Sequence, residues 1–166
     1  DSQTTADIAA SIVNLMGAFR VGSVLKHFPG YGNNTDTHTG IAVDSRPLSD
    51  FENQDFIPFT AGIQAGCGGI LVGHILVEAL DPELPASLSP AVHRYLRETL
   101  GFSGVIMTDD LVMQAITDQF GAGEAAVMAV LSGNDLLCST EYAVQYEAVL
   151  QAVLDGRIDI DVLNSA

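Results

Sequence analysis

Basic residues are scarce in this sequence of 166 residues, where six lysines and arginines stand against twenty-one aspartates and glutamates. The formal net charge is −15, and Lys26 is the only lysine. A chain this acidic repels phosphate groups, so nucleic acid is not an expected partner. The same repulsion argues against binding to an anionic membrane surface.

Cysteine is also scarce, and long apolar runs are lacking. Cys67 and Cys138 stand apart, each inside an apolar run. This pattern excludes a disulfide framework and a Cys-x-x-Cys metal site, and it predicts two buried thiols. No apolar run approaches the ~20 residues that cross a bilayer, so no membrane span is expected. No basic segment followed by an apolar core opens the sequence, so no signal peptide is predicted, and localisation stays open between cytoplasmic and secreted.

What the sequence does contain is a repeated unit of strand and helix. Apolar residues recur at helical spacing over 5–20 and over 48–65, where Pro58 is expected to bend or split the helix. Four short apolar runs predict buried strands, at 23–26, 69–73, 104–107 and 135–138. Such strands, alternating with helices, indicate a parallel α/β sheet. Four units fit half of an eightfold barrel or a small doubly wound sheet, and we treat 1–166 as one segment.

Polar side chains follow each predicted strand. They are Lys26 and His27, then His74, then Asp109 and Asp110, then Ser139 and Thr140. In parallel α/β folds the chemistry lies at the C-terminal ends of the strands, so these positions are candidate site residues. His93 lies instead in a predicted helix that starts at Ser89-Pro90, and we expect it on a solvated helix face.

Asp36 and His38 stand two residues apart in a polar, glycine-rich loop that runs from Pro29 to Gly40. A carboxylate beside an imidazole orients the ring and stabilises its charged form, which suits a proton-transfer pair. The alternative is a surface turn with an incidental histidine.

Asp109 and Asp110 directly follow the third predicted strand. Two carboxylates there can bind a metal, cap the next helix or supply a nucleophile. Neither an HExxH pattern nor another closely spaced ligand pair accompanies them, so we predict no metal site. No cofactor is predicted.

Two motifs in this order resemble a known family. The stretch 26–32 (KHFPGYG) followed by 36–38 (DTH) resembles the KHFPGHG…DSH signature of family 3 glycoside hydrolases, in their β-N-acetylhexosaminidase branch. The stretch 101–111 (GFSGVIMTDDL) is similar to the segment that carries the nucleophile in that branch, and 81–89 (DPELPASLS) also looks like the family. The likeness runs from about Leu25 to Leu163.

The resemblance implies roles for individual residues. Asp109 matches the catalytic nucleophile, His38 the general acid/base and Asp36 its partner in a dyad. Lys26 and His27 match residues that hydrogen-bond sugar hydroxyls, and His74 is similar to a histidine that lines the pocket. The resemblance therefore implies that these three residues bind the substrate.

The implied reaction is retaining hydrolysis of terminal β-linked N-acetylglucosamine, as in peptidoglycan fragments, through a covalent glycosyl-aspartate. The alternatives are another activity of family 3, such as that of a β-glucosidase, or a half-barrel without catalysis.

The sequence departs from the family pattern in two ways. Tyr31 stands where the family usually has histidine, and Thr37 and Thr108 replace serines. The family's barrel has eight strands, of which this chain is expected to supply the last four. The absent half would bring an aspartate and an arginine that hold the sugar. We therefore expect weak activity from the chain alone, and either a homodimer or pairing with the missing barrel half.

Overall fold

The central sheet consists of parallel strands, as predicted. The computed structural model describes residues 1–32 and 40–166. Its strands in chain order are β1 (Val24–Phe28), β2 (Ala42–Asp44), β3 (Gly69–Val72), β4 (Ile75–Val77) and β5 (Val105–Thr108). β3 lies between β1 and β5 and is parallel to both. Val24 and Val105 both stand opposite Gly69, so the first three predicted strands are confirmed.

The fourth predicted strand, 135–138, is present as one bridge rather than as a ladder. Met107 of β5 pairs with Leu136 in parallel. The backbone N–H of Leu136 donates to the carbonyl of Ile106 at 3.2 Å, and that of Thr108 donates to the carbonyl of Leu136 at 3.1 Å. The next N–H, of Cys138, donates to the Thr108 hydroxyl instead of to a backbone carbonyl. The position beside β5 is confirmed, but the predicted length is wrong because a side chain replaces the next ladder bond.

The order of these strands distinguishes the two architectures left open by the sequence. β1, β3, β5 and Leu136 lie side by side in the order in which they occur along the chain, and all run the same way. A doubly wound sheet reverses its order at a switch point, whereas a (β/α)8 barrel adds each strand beside the previous one. The described sheet therefore has the order of a barrel segment.

A second, two-stranded sheet was not predicted. β2 pairs with β4 in parallel, with Val43 opposite Leu76. β4 begins one residue after His74, and β2 follows the loop that contains Asp36 and His38. This small sheet therefore fixes the chain after that loop next to the end of β3.

Helices connect the strands and cover the sheet. They are α1 (Ser2–Ala18), α2 (Leu48–Asp50), α3 (Phe56–Gln64), α4 (Pro90–Arg94), α5 (Gln114–Phe120), α6 (Ala122–Ser132), α7 (Tyr142–Leu154) and α8 (Ile160–Ser165). A 3-10 turn spans Ala86–Leu88, and π-helical turns span Phe51–Asp55 and Tyr95–Thr99.

Local sequence explains where two of these helices begin or change. Ser89 caps α4, because its hydroxyl accepts the N–H of Val92 at 3.2 Å, and Pro90 takes the first helical position, as predicted. The helix predicted over 48–65 is divided by the π-helical turn Phe51–Asp55, which ends just before Pro58. Proline lacks an N–H, so a change of hydrogen-bond register near it is expected.

Two expectations about burial are wrong. His93 is only 3% exposed, because its ring packs against α6 at Gly133, which has no side chain, and its Nδ1 lies 2.8 Å from the carbonyl of Ser89. Cys67 is buried as expected, but Cys138 is exposed because the segment after Leu136 leaves the sheet. Over residues 1–32 and 40–166, no helix is long and apolar enough to cross a membrane.

Candidate active site

The polar residues that follow β1, β3 and β5 meet at one edge of the sheet. Nε2 of His27, in β1, lies 3.8 Å from Oδ2 of Asp109, which follows β5. His74, which follows β3, contacts the backbone of Asp110, the next residue after Asp109. Parallel strands in register bring their C-terminal ends together, so residues separated by up to 82 positions become neighbours.

Asp109 has one carboxylate oxygen held and the other directed at His27. Its backbone N–H donates to the carbonyl of Val72 at 3.0 Å, which continues the pairing of β5 with β3. Its Oδ1 accepts the N–H of Asp110 at 2.9 Å. Oδ2 faces His27, and the side chain is 23% exposed. A carboxylate with one fixed and one available oxygen at a strand end is suited to nucleophilic attack.

Asp110 takes part in a turn instead. Its Oδ1 accepts the N–H of Val112 at 3.2 Å, and the Thr140 hydroxyl lies 3.5 Å from the same oxygen. Its backbone carbonyl lies 2.9 Å from Nε2 of His74. The two carboxylates thus differ in their contacts: Asp110 accepts the N–H of Val112 in a local turn, whereas Oδ2 of Asp109 faces His27.

His27 packs against an aromatic ring from the following loop. The centroids of the His27 and Tyr31 rings lie 5.6 Å apart at an angle of 77°, an edge-to-face contact. The peptide bonds Lys26–His27 and Phe28–Pro29 are both cis. Tyr31, the departure from the family pattern, therefore supports the imidazole that faces Asp109.

Lys26 lies beside this cluster, on an open cavity. The cavity has a volume of about 600 Å³ and lies between α1, β1 and α3. Lys26, His27 and Tyr31 line it together with residues of α1, whereas Asp109 does not. The cavity thus extends from the start of α1 to His27.

His74 is the candidate that the structure places away from the surface. Its side chain is 0% exposed, Nδ1 lies 2.7 Å from the Ser87 hydroxyl, and Nε2 lies 2.9 Å from the Asp110 carbonyl. Burial lowers the pKa of His74, against an opposing effect of its hydrogen bond to Asp110. His74 therefore belongs to the same cluster as Asp109, but both of its ring nitrogens already have protein partners.

The predicted dyad, Asp36 and His38, lies outside the described residues, and so does Thr37. Over residues 1–32 and 40–166, no group of three or more histidine, cysteine and acidic side chains is placed to hold a metal ion.

Sequence reasoning missed an arginine just after that loop. Arg46 lies 2.8 Å from Oδ2 of Asp44 and 2.9 Å from Oδ2 of Asp55, and its guanidinium stacks on the Phe51 ring at 4.3 Å. The hydrogen bonds to both carboxylates raise the pKa of Arg46. We call Asp44, Arg46 and Asp55 the Arg46 clamp.

The Arg46 clamp also contacts the start of the loop. Gly30 has φ +115°, and a Cβ there would lie 2.8 Å from Oδ1 of Asp55. Gly32 has φ +53°, and a Cβ there would lie 3.0 Å from the Arg46 guanidinium. Glycine is therefore required by both backbone angle and space at Gly30. The only sequence signal of the clamp is the Asp-x-Arg spacing of Asp44 and Arg46, which is too common to interpret without the fold.

Comparison with known proteins identifies the family. The model of the glycosyl hydrolase family 3 N-terminal domain matches residues 1–166. The chain belongs to glycoside hydrolase family 3. It is 38% identical over 169 residues to a beta-hexosaminidase of Stenotrophomonas maltophilia, with 95% of this chain and 50% of that protein covered.

Solved structures of the family have the same fold as this chain. A family 3 beta-N-acetylglucosaminidase from a Paenibacillus species matches with a TM-score of 0.88 and 34% identity over 94% of this chain and 31% of that one. A beta-N-acetylhexosaminidase from Beutenbergia cavernae matches with a TM-score of 0.83 and 29% identity over 99% of this chain and 49% of that one. The family prediction is confirmed, and the chain spans about half the length of the curated relatives it matches.

Proposed function

We propose that this chain carries the nucleophile and the proton-transfer pair of a retaining glycosidase that removes terminal β-linked N-acetylglucosamine. The observation that supports this most is the placement of Asp109, whose Oδ2 is turned toward His27 at a strand end while Oδ1 is held by a backbone N–H. The motif that carries the dyad follows β1, two strands of the central sheet before Asp109 in the chain, and the matched relatives are beta-hexosaminidases.

In the first step, Oδ2 of Asp109 attacks the anomeric carbon of the terminal sugar. A carbon–oxygen bond forms between Asp109 and the sugar as the glycosidic carbon–oxygen bond breaks. The imidazolium of His38 gives its proton to the departing oxygen. The products of this step are an alcohol or the shortened glycan, a glycosyl-aspartate ester and a neutral His38.

In the second step, His38 takes a proton from water as the water oxygen attacks the same carbon. The ester bond to Asp109 breaks, the carboxylate is regenerated, and two inversions leave the β configuration unchanged. An imidazole suits this exchange because its unperturbed pKa is ~6.5, close to neutral. Asp36 fixes the tautomer of His38 and stabilises its charged form.

Lys26 and His27 contribute binding rather than proton transfer. Both stand at the end of β1, and His27 lies within 3.8 Å of the attacking carboxylate. Hydrogen bonds from these residues to sugar hydroxyls would place the anomeric carbon over Oδ2 of Asp109. Peptidoglycan fragments are the substrate class that this specificity fits, and phosphate in place of water is a second acceptor to be tested.

The apolar surface of α1 bears on how the working protein is assembled. Three of its apolar side chains and that of its C-terminal cap are more than half exposed, and their spacing of four, three and four residues makes one stripe: Ile8, Ile12, Leu15 and Phe19. Leu136, at the opposite edge of the sheet, is 53% exposed. We propose that the other half of a barrel covers the stripe and both sheet edges. Exposed edges and apolar stripes invite association, so the chain alone should self-associate.

Sedimentation at micromolar concentration tests this association. We expect dimers or larger species from the chain and a shift toward monomer when Ile12→Lys interrupts the stripe. A monomer from the unchanged sequence would contradict the proposal.

Activity is tested on two preparations. One is the chain alone. The other, called here the complemented chain, is the chain co-expressed with the half of the Stenotrophomonas maltophilia relative that it does not cover. We expect an aryl β-N-acetylglucosaminide to be cleaved faster than the aryl β-glucoside. We also expect the complemented chain to be more active than the chain alone. Proton NMR of the first product should show the β anomer. Preference for the glucoside would favour the β-glucosidase alternative, an α product would refute retention, and sugar binding without turnover would favour the non-catalytic half-barrel.

A further inference from the structure

We propose that His74 and Ser87 form a buried positioning pair that holds the backbone at Asp110, and through it the nucleophile Asp109, rather than binding the sugar. The inference rests on the proposed function of Asp109. Both members are 0% exposed, and the two contacts of the His74 ring are 2.7 Å to the Ser87 hydroxyl and 2.9 Å to the Asp110 carbonyl.

The partners of His74 determine its tautomer. A carbonyl oxygen only accepts hydrogen bonds, so Nε2, which faces the Asp110 carbonyl, must carry a proton. In the neutral ring Nδ1 is then an acceptor, and the Ser87 hydroxyl donates to it. One hydroxyl therefore selects the form of the ring that donates to Asp110.

Ser87 is itself fixed to the rest of the sheet. Its backbone N–H donates to the carbonyl of Gly73 at 3.1 Å. Its carbonyl accepts the side-chain amide of Asn134 at 2.9 Å and lies 3.3 Å from the Ser132 hydroxyl. These contacts join the end of β3, the end of α6 and the Asp110 turn in one buried network. Displacement of Ser87 would break several of these bonds at once.

The hydrogen bond from His74 reaches Asp109 through a single residue. Asp110 offers its carbonyl to His74 and donates its own N–H to Oδ1 of Asp109. Fixing the carbonyl therefore restricts the orientation of the N–H donor. As long as Oδ1 is held by that donor, Oδ2 stays directed toward His27.

The His74 ring also stays neutral while the proposed acid/base, His38, gives up and regains its proton. Burial lowers the pKa of His74; the facing groups Asp109 and Asp110 raise it, and His27 lowers it. The donor to Asp110 is accordingly present both when the proposed His38 is charged and when it is neutral.

Kinetics of the complemented chain separate positioning from binding. His74→Leu removes the donor, and we expect kcat to fall roughly 10²-fold with KM nearly unchanged, since a displacement of about 1 Å can cost that much. The fold loss should be similar for aryl and natural leaving groups, because His74 takes no part in protonating the leaving oxygen. His74→Gln keeps an N–H donor and should recover part of the rate.

His93 offers a matched control, since it is a buried histidine whose ring also faces a backbone carbonyl. His93→Leu should lower stability comparably but leave kcat per folded molecule unchanged. A rise in KM with unchanged kcat in His74→Leu would show a sugar-binding role and overturn the proposal. Equal kcat losses in both leucine variants would reduce His74 to a structural residue and overturn it as well.

Nitrogen-15 NMR of the ring-labelled 166-residue chain tests the hydrogen bonds without turnover. We expect the neutral His74 ring to show a protonated Nε2 with slow proton exchange, and its pKa to lie below the usual histidine value of ~6.5. A neutral ring protonated on Nδ1 would overturn the tautomer. If the unchanged complemented chain is inactive, the proposed function fails; if it is active and His74→Leu is equally active, only the positioning role fails.

Discussion

Replacing Arg46 with leucine should lower the free energy of unfolding by more than the loss of an exposed ion pair would. Arg46 lies between Asp44, whose side chain is 4% exposed, and Asp55, whose side chain is 13% exposed. Its removal takes away the guanidinium that donates to both oxygens of the buried Asp44 carboxylate. Breaking a buried pair from one side costs about 3–5 kcal/mol, and because Arg46 is itself 31% exposed we expect the lower end, about 3 kcal/mol.

Urea unfolding followed by circular dichroism measures this loss. With a slope of about 1–3 kcal/mol per molar urea, a loss of about 3 kcal/mol moves the midpoint by roughly 1–3 M. Arg157→Leu is the matched control, because Arg157 also makes two hydrogen bonds to one carboxylate, that of Glu124. Both members of that pair are exposed, at 50% and 43%, so its loss should move the midpoint far less than the loss of Arg46 does.

A double change identifies the origin of the loss. Asp44→Asn in the Arg46→Leu background removes the buried negative charge that Arg46 no longer faces, so it should restore part of the stability. Equal midpoints for Arg46→Leu and Arg157→Leu would refute the reasoning, since buried and exposed pairs would then contribute alike. Arg46→Lys should fall in between, because an ammonium cannot hold two carboxylates with the geometry of a guanidinium.

Three further outcomes follow. In the complemented chain, Asp109→Asn should abolish turnover while Asp110→Asn retains much of it, as steady-state kinetics would show. Changing Asp36 and His38 together should cost little more than the worse single change, with aryl substrates affected least; additive losses would contradict a dyad. Burial lowers the folded-state pKa of the histidines His74 and His93, so the unfolded chain binds more protons below its pKa of ~6.5. The free energy of unfolding should therefore be maintained above about pH 6.5 and fall below it, as urea titrations at several pH values would measure.

The sequence predicted those strands and site residues whose positions follow from the local pattern of apolar and polar residues. Apolar runs such as 69–73 predicted strands because a buried parallel strand needs apolar residues on both faces. Candidate residues such as His27 and Asp109 could be placed together because parallel strands end at the same edge. Family motifs then supplied the roles that composition and spacing could not.

What the sequence could not show depends on tertiary contacts. β2 and β4 are three residues each and pair with one another, so neither has a pattern long enough to predict. His93 is buried because Gly133 makes room for its ring, a contact across 40 residues. Arg46 owes its role to Asp55, which lies in the following π-helical turn. Each of these features depends on a contact that forms only in the folded chain.

Identifying the residue that a slow fluorinated N-acetylglucosamine substrate labels tests the central claim most directly. The sugar is trapped as its glycosyl ester on the complemented chain, the protein is digested, and the modified peptide is sequenced by mass spectrometry. The account predicts a single label on Asp109. A label on Asp110, or none from a chain that turns over the unfluorinated substrate, would contradict it.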